Sequence, residues 1–516
     1  MGADPDRRTA VPERPRPLSR IELLVFLFLG CRLLAWAFLL LPWGGFDEYA
    51  HHGYVETCAE TPRWHAFRSV YVPTRIVDAE RDWRGRRGGF DARVPGMTNG
   101  PAPRPRQGNY ETQQSPAYYL GAGLLLRILP PLSPIAELYL LRIVNAGLAL
   151  LVGVATIVAA RRAGFSERAW FPLALLAFVP GFAIALVRVS NDALCALCLA
   201  IGIGASLEDS RGRRRAILAA ASTGTAPWAK LYGLAAIPGV LVRALRRGER
   251  NRRIAAALLI LPAVALAVLS RRIHGSEIAL ADVLTHPAAV RLRDVPWARD
   301  AWAFVKSHLW VSGMSVRVFP SLVYVVLAIG LAVCLWKSAS APRSSARDRR
   351  NLSSVSIPVI LFLIAAAYFA TKNFAAYRSP GGVGGWYLWA MALPEALLLT
   401  WGLVHSPRGG RWFPILLSGF LLLTVAGDLA LFAEPSGFLA NSNGPIIVIS
   451  GASYPRMLEA FRRSRPAPVA VAAEATALLS WILGLTTLVT ASGARAPTAR
   501  GHRLRVGAEN TDHSLD

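Results

Sequence analysis

The chain has 516 residues, 53% of them hydrophobic, and its apolar residues gather in long runs that no soluble domain needs. A formal net charge of +25 comes from short arginine-rich clusters between those runs rather than from one basic face, which excludes a nucleic-acid-binding domain. Five scattered cysteines exclude a disulfide framework, and the C-x-x-C spacing of Cys195 and Cys198 lies in an apolar run without charged neighbours, where packing explains it better than a metal.

A spanning helix needs about 20 apolar residues, and helices satisfy their own backbone hydrogen bonds in lipid. Taken in chain order, the runs predict an all-α polytopic integral membrane protein of about 12 transmembrane helices. The spans fall at 21–43, 136–160, 169–187, 190–207, a tight hairpin of two short helices in 214–243, then 253–270, 318–337, 353–371, 384–404, 412–432 and 468–491. The first run is too long for a signal peptide and lacks a small-residue cleavage site, so it reads as an uncleaved anchor.

The connections 161–168, 211–215, 243–253, 337–350 and 406–411 are rich in arginine or lysine, as is the tail after Arg495. By the positive-inside rule all of them belong to the cytoplasmic side. That gives a disordered cytoplasmic N-terminus (1–20), a transmembrane domain (21–491) and a disordered cytoplasmic tail (492–516), as expected of a bacterial plasma-membrane protein. The large first extracytoplasmic loop covers 44–135, and its part 44–115 is nearly neutral, with ten Arg against nine Asp or Glu. The segment 115–131 cannot span without inverting every later loop, so it reads as a membrane-surface or half-inserted helix.

The chemistry concentrates on the outer side. In "GGFDEYAHHGY" two glycines loosen the exit from the first span and place Asp47 and Glu48 at the membrane boundary, where a partly desolvated carboxylate can act as a general base toward a hydroxyl. The plain alternatives are an interfacial pair that is simply solvated or one that caps the next helix. His51 and His52 follow, but no second ligand cluster at metal spacing accompanies them. "QGNYETQQSPAYYL" brings Glu111, Gln113, Gln114, Tyr118 and Tyr119 ahead of the surface helix. "VRVSNDALCAL" puts Asn191 and Asp192 at an outer helix start, where Asp192 also suits an N-cap. Lys372 and Arg378 precede "GGWYLWAMALP" and could hold a phosphate.

In this order the pieces resemble the GT-C superfamily of membrane glycosyltransferases, which includes protein O-mannosyltransferases and lipid A aminoarabinose transferases. The resemblance runs from about residue 20 to 400 and rests on the "DE" pair after the first span, "QQSPAYYL", "SNDAL", "TGTAPWAKLYGL" and "GGWYLWAMALP". It implies transfer of a sugar from a polyprenyl-phosphate-linked donor to a glycan, lipid or protein acceptor outside the cytoplasm. Asp47 would be the base and Glu48 a second catalytic carboxylate, while Lys372, Arg378, Tyr387, Gln113, Gln114 and Tyr118 would meet the donor. His51, His52, Glu111, Asn191 and Asp192 would support them. No cofactor is obligatory, although the reading leaves room for a divalent metal such as Mg or Mn. Trp386 stands where relatives carry an arginine. Three explanations stay open: Arg378 substitutes for it, the donor differs, or activity is lost. Lys230 matches the family's T-K lysine, yet arginine clusters flank its hairpin and suggest a structural role near the cytoplasmic side. The rival function is a transporter or lipid flippase, against which the chain shows no internal repeat and only Arg142 and Asp428 as clear mid-span charges.

Overall fold

The computed structural model describes residues 17–86, 108–207, 213–245, 249–274, 292–310, 319–340, 346–377, 384–406, 409–433 and 454–493. These residues are helical and contain no strand, only an isolated bridge between Tyr71 and Gly108. In chain order the helices are α1 (Arg20–Leu39), α2 (Glu48–Glu60), α3 (Thr74–Arg86), α4 (Ala117–Ile128), α5 (Pro134–Arg162), α6 (Trp170–Phe178), α7 (Pro180–Val187), α8 (Asp192–Ser206) and α9 (Arg213–Ala229). They continue as α10 (Ile237–Ala244), α11 (Glu249–His274), α12 (Trp297–Leu309), α13 (Ser321–Ser340), α14 (Ala346–Tyr377), α15 (Ala392–His405), α16 (Gly409–Ala433), α17 (Tyr454–Arg463) and α18 (Ala467–Gly493).

Among the described residues eight helices are long and apolar enough to cross a bilayer, and the chain is an all-helical, multi-pass membrane protein. Among the described residues the expected twelve spans are not reached by length. The 169–187 run is two helices, α6 and α7, bent by 66°. Pro180 opens the second, and a proline both lacks an N–H and pushes Val179 into extended backbone (ψ 112°). The 190–207 run is only 15 residues long as α8, and the hairpin divides into α9, a 3-10 segment Leu231–Ala236 and the eight-residue α10.

α1 begins where Ser19 and Glu22 form a reciprocal capping box, with Ser19 N–H donating to Glu22 Oε2 at 2.7 Å. Arg161 at the far end of α5 donates to the same carboxylate at 2.8 Å and so joins the ends of both spans. Half-way through the bundle Arg32 donates to both oxygens of Asp428 at 2.7 and 2.6 Å, and Trp481 donates to the same group at 2.8 Å. Asp428 is therefore an ion-pair partner that fastens α1, α16 and α18 together.

The bundle core surrounds Phe28, Leu33, Trp36, Phe178, Phe182 and Trp389, all buried. At the α1 C-terminal end a second, smaller core joins α2, α3 and α4 to the start of α5 through Tyr54, Val55, Ile76, Trp83, Tyr119 and Leu138. α4 is the short surface helix expected within 115–131. It lies against α2 so closely that a Cβ at Gly123 would sit 2.8 Å from the Ala59 nitrogen, while Leu124 and Ile128 on its other side are exposed.

Candidate active site

The last carbonyls of a helix have no partner within it, and at the end of α1 two arginines from distant segments supply one. Arg142 of α5 donates to Ala37 O (3.2 Å), Leu40 O (2.7 Å) and Leu41 O (2.6 Å), and Arg465 donates to Phe38 O (3.0 Å) and Leu39 O. The remaining donors of Arg142 grip Glu48 at 2.8 and 2.5 Å. Glu48 also accepts the backbone N–H of Gly45 (3.1 Å) and Val189 (3.0 Å) and is wholly buried. Burial pushes its carboxyl up, but Arg142 and the two N–H groups outweigh that and hold it below the ordinary value. The expected role of Glu48 as a second catalytic carboxylate is therefore replaced by an anchoring one, since four donors leave it no free face.

Asp47 behaves oppositely although it is the adjacent residue. Its backbone is left-handed (φ 56°), a conformation that Asp tolerates better than most residues, and its side chain makes no capping bond to α2. The capping alternative is thereby set aside. Half-buried, Asp47 receives the Tyr110 hydroxyl on Oδ1 at 2.5 Å.

Tyr110 opens the 3-10 turn Tyr110–Gln113, whose position depends on Asn109. The Asn109 side chain caps the turn at Glu111 N–H (2.9 Å) and donates to Ala50 O of α2 (2.9 Å). That brings Glu111 to Asp47 and His51. Burial, then the nearby Asp47, push the Glu111 carboxyl up to about 8. His51 Nδ1 meets the Tyr119 hydroxyl at 2.7 Å and lies 3.3 Å from Glu111 Oε2. Burial, with Lys230 and Arg188 nearby, pushes His51 well below the ordinary imidazole value, so it is neutral at pH 7. Glu111 Oε2, Asn191 Oδ1 and Trp386 Nε1 are buried without a hydrogen-bond partner among the described residues. Such groups are costly unless something polar meets them.

Facing these carboxyls are two cations. Lys230 Nζ lies 2.6 Å from Asp192 Oδ1, while Arg188 (3.1 Å) and the Ser190 hydroxyl (3.0 Å) reach Oδ2. Lys230 also stands 4.7 Å from the Tyr387 ring centre and 5.3 Å from that of Tyr232. Tyr387 lies within the electrostatic reach of Arg188, Asp192, Asp47 and Glu111, so the four form one cluster around it. The expected position of Lys230 beside the arginine clusters is not the one the fold gives. Lys230 follows the last residue of α9, at the opposite end of that helix from the arginines at 213–215, because a 17-residue helix rises about 25 Å.

The other sequence-selected residues divide. Asn191 donates to Ala229 O (2.8 Å) and to Gln114 (3.3 Å), which joins the α8 start to the 3-10 turn, whereas Gln113 is exposed. Tyr118 is buried beside Tyr119. Lys372 is half-buried near the end of α14, and Arg378 lies outside the described residues. Arg188, Tyr110 and Asn109 were not selected from sequence, and Lys230 was noted there only with a structural role. Arg188 had one local signal, its i to i+4 spacing from Asp192, while the others depend on contacts across the fold.

His52, Glu56 and Glu137 bring one ligand atom each within 4.8 Å of one another, the right donor types for a divalent metal. Their other contacts do not fit one. Trp43 N–H points at His52 Nδ1 (3.2 Å), which leaves the proton on Nε2, facing Glu137 at 3.4 Å. Arg75 meanwhile pairs with both Glu56 and Glu137. That guanidinium already supplies positive charge to both carboxylates.

No protein-family model and no curated protein matches the sequence. Among solved structures, the crystal structure of ArnT from Cupriavidus metallidurans bound to undecaprenyl phosphate is similar at 16% identity and a TM-score of 0.49, over 91% of this chain and 78% of that one. The same protein in the apo state is similar at 15% identity and a TM-score of 0.46 with the same coverage. At these values neither likeness bears on what this chain binds.

Proposed function

We propose that this protein is a membrane glycosyltransferase that moves a sugar from a polyprenyl-phosphate donor to a hydroxyl of an acceptor on the extracytoplasmic side. The observation that carries this reading is the cluster at the α1 C-terminal end. There a carboxylate freed from capping, Asp47, shares one buried site with two cations and several unpartnered polar atoms. The acceptor oxygen attacks the anomeric carbon, the bond from that carbon to the phosphate oxygen breaks with inversion, and the hydroxyl proton passes to Asp47. Arg188 and Lys230 share the single charge of Asp192, so one positive charge remains in excess to stabilise the departing polyprenyl phosphate. Glu111, mostly protonated at pH 7, adds a hydrogen-bond donor instead of a second negative charge beside that phosphate.

The pairing of the intramembrane charges weighs against the transporter reading. Arg142 with Glu48 and Arg32 with Asp428 are close, buried ion pairs that hold helices together, which is unlike the exchangeable charges of a transport path. The test is sugar release from radiolabelled polyprenyl-phosphate sugars in the presence of membrane-extract acceptors. Transfer by the purified wild type, abolished in Asp47→Asn at unchanged expression and melting temperature, is expected. No donor consumption by the wild type would overturn the reading, and full activity of Asp47→Asn would overturn Asp47 as the base.

A further inference from the structure

Beside this cluster is a second group of side chains that the transfer step does not use. Trp64, in the loop after α2, meets His274 at the end of α11 edge-on, with ring centres 5.1 Å apart. Its ring centre is also 6.4 Å from that of Trp228 near the end of α9, and both tryptophans are half-buried. Trp228 N–H is used on Pro262 O at 2.9 Å. Trp64 Nε1 and both ring nitrogens of His274 are buried without any hydrogen-bond partner among the described residues. Three polar atoms of one aromatic group therefore wait for a partner, and each costs free energy while it has none.

The chemistry of those atoms restricts the partner. A neutral imidazole offers one donor and one acceptor, and indole N–H offers a donor only. An apolar ligand satisfies none of them, and an anion leaves the imidazole acceptor unmet. A hydroxyl-rich ring satisfies all three, while its C–H faces suit the half-buried tryptophan rings. The group also borders the candidate active site. His65, next to Trp64, donates its N–H to the Tyr54 hydroxyl (3.4 Å), and the Tyr54 ring packs on Tyr119, the partner of His51. Trp228 is followed by Ala229, whose carbonyl holds Asn191, and by Lys230.

We infer that Trp64, Trp228 and His274 form a saccharide subsite that holds a sugar ring of the acceptor next to the Asp47–Glu111 cluster. That it is the acceptor rests on the glycosyl-transfer reading, in which the donor sugar occupies Asp47. The experiment is saturation-transfer difference NMR on the full-length protein in detergent micelles. The probes are the methyl glycosides of glucose, mannose, galactose, N-acetylglucosamine and arabinofuranose, with cyclohexanol as control. At least one glycoside should give ring-proton signals above the control in the wild type and equally in Asp47→Asn. Those signals should fall at least fivefold in Trp64→Ala and in His274→Ala. Trp64→Phe, which keeps the packing but removes the N–H, should give an intermediate loss at unchanged melting temperature. Absence of signal for all five glycosides in the wild type, or undiminished signal in folded Trp64→Phe and His274→Ala, overturns the subsite. If glycoside signals depend on Trp64 while the wild type consumes no polyprenyl-phosphate sugar, the subsite stands and the transfer reading falls.

Discussion

Lys230 and Asp192 meet at 2.6 Å although 38 residues and a helix hairpin separate them. Both are buried, and Arg188 completes the group on the other carboxylate oxygen. Under the transfer reading Lys230→Met removes the positive charge available to the leaving phosphate, and one preorganised charge donor in such a site contributes on the order of 100-fold in rate. Sugar release measured at saturating donor should fall by that order. Asp192→Asn, which loosens both cations without removing them, should show a smaller loss.

Adjacent carboxylates should respond in opposite ways. Glu48→Gln leaves Arg142 charged and buried opposite a neutral amide, and breaking a buried pair in this way costs about 3–5 kcal/mol. Its melting temperature in detergent should drop well below that of the wild type. Asp47→Asn should melt as the wild type does and lose transfer. A stable Glu48→Gln would show that the Arg142 contact is dispensable.

The Glu111 carboxyl gives a pH signature. Its value rises from an ordinary 4.5 to about 8 on folding, so the protonated form is the one the fold favours. Its contribution to stability is full below about 4.5 and is lost progressively as pH rises through about 8. Thermal unfolding of wild type and Glu111→Gln between pH 5 and 9 should therefore show a decline in the wild type that the variant lacks. Parallel profiles would mean that Glu111 titrates normally.

The mid-bundle pair Arg32–Asp428 offers a double-variant test. Arg32→Met strands Asp428 in the bundle, again at about 3–5 kcal/mol, whereas removing both charges with Arg32→Met and Asp428→Leu should recover most of that loss. The check is melting temperature across the four proteins of the cycle. Additive losses would contradict a direct pair.

α4 should tolerate nothing larger than glycine at 123. A Cβ there would meet Ala59 N and the Cys58 carbonyl carbon, both at 2.8 Å, and would lever Tyr119 away from His51. Gly123→Val should keep the bundle folded by circular dichroism while transfer falls.

Much of the architecture was legible in the residues themselves. Long apolar runs identify spans because lipid satisfies no backbone hydrogen bond, and that requirement acts locally along the chain. The same reading located the titratable residues of the first loop and the short helix after it. Their division of labour was not legible. Asp47 and Glu48 differ by one position, and a left-handed backbone at Asp47 turns one carboxylate toward Tyr110 while Arg142, 94 residues away from Glu48, claims the other. Lys230 was misplaced because arginine clusters flank its hairpin in sequence, whereas the helix carries it to the opposite end in space. Which charges are spent on holding helices and which remain for a ligand depends on partners tens to hundreds of residues distant, and only the tertiary structure decides that.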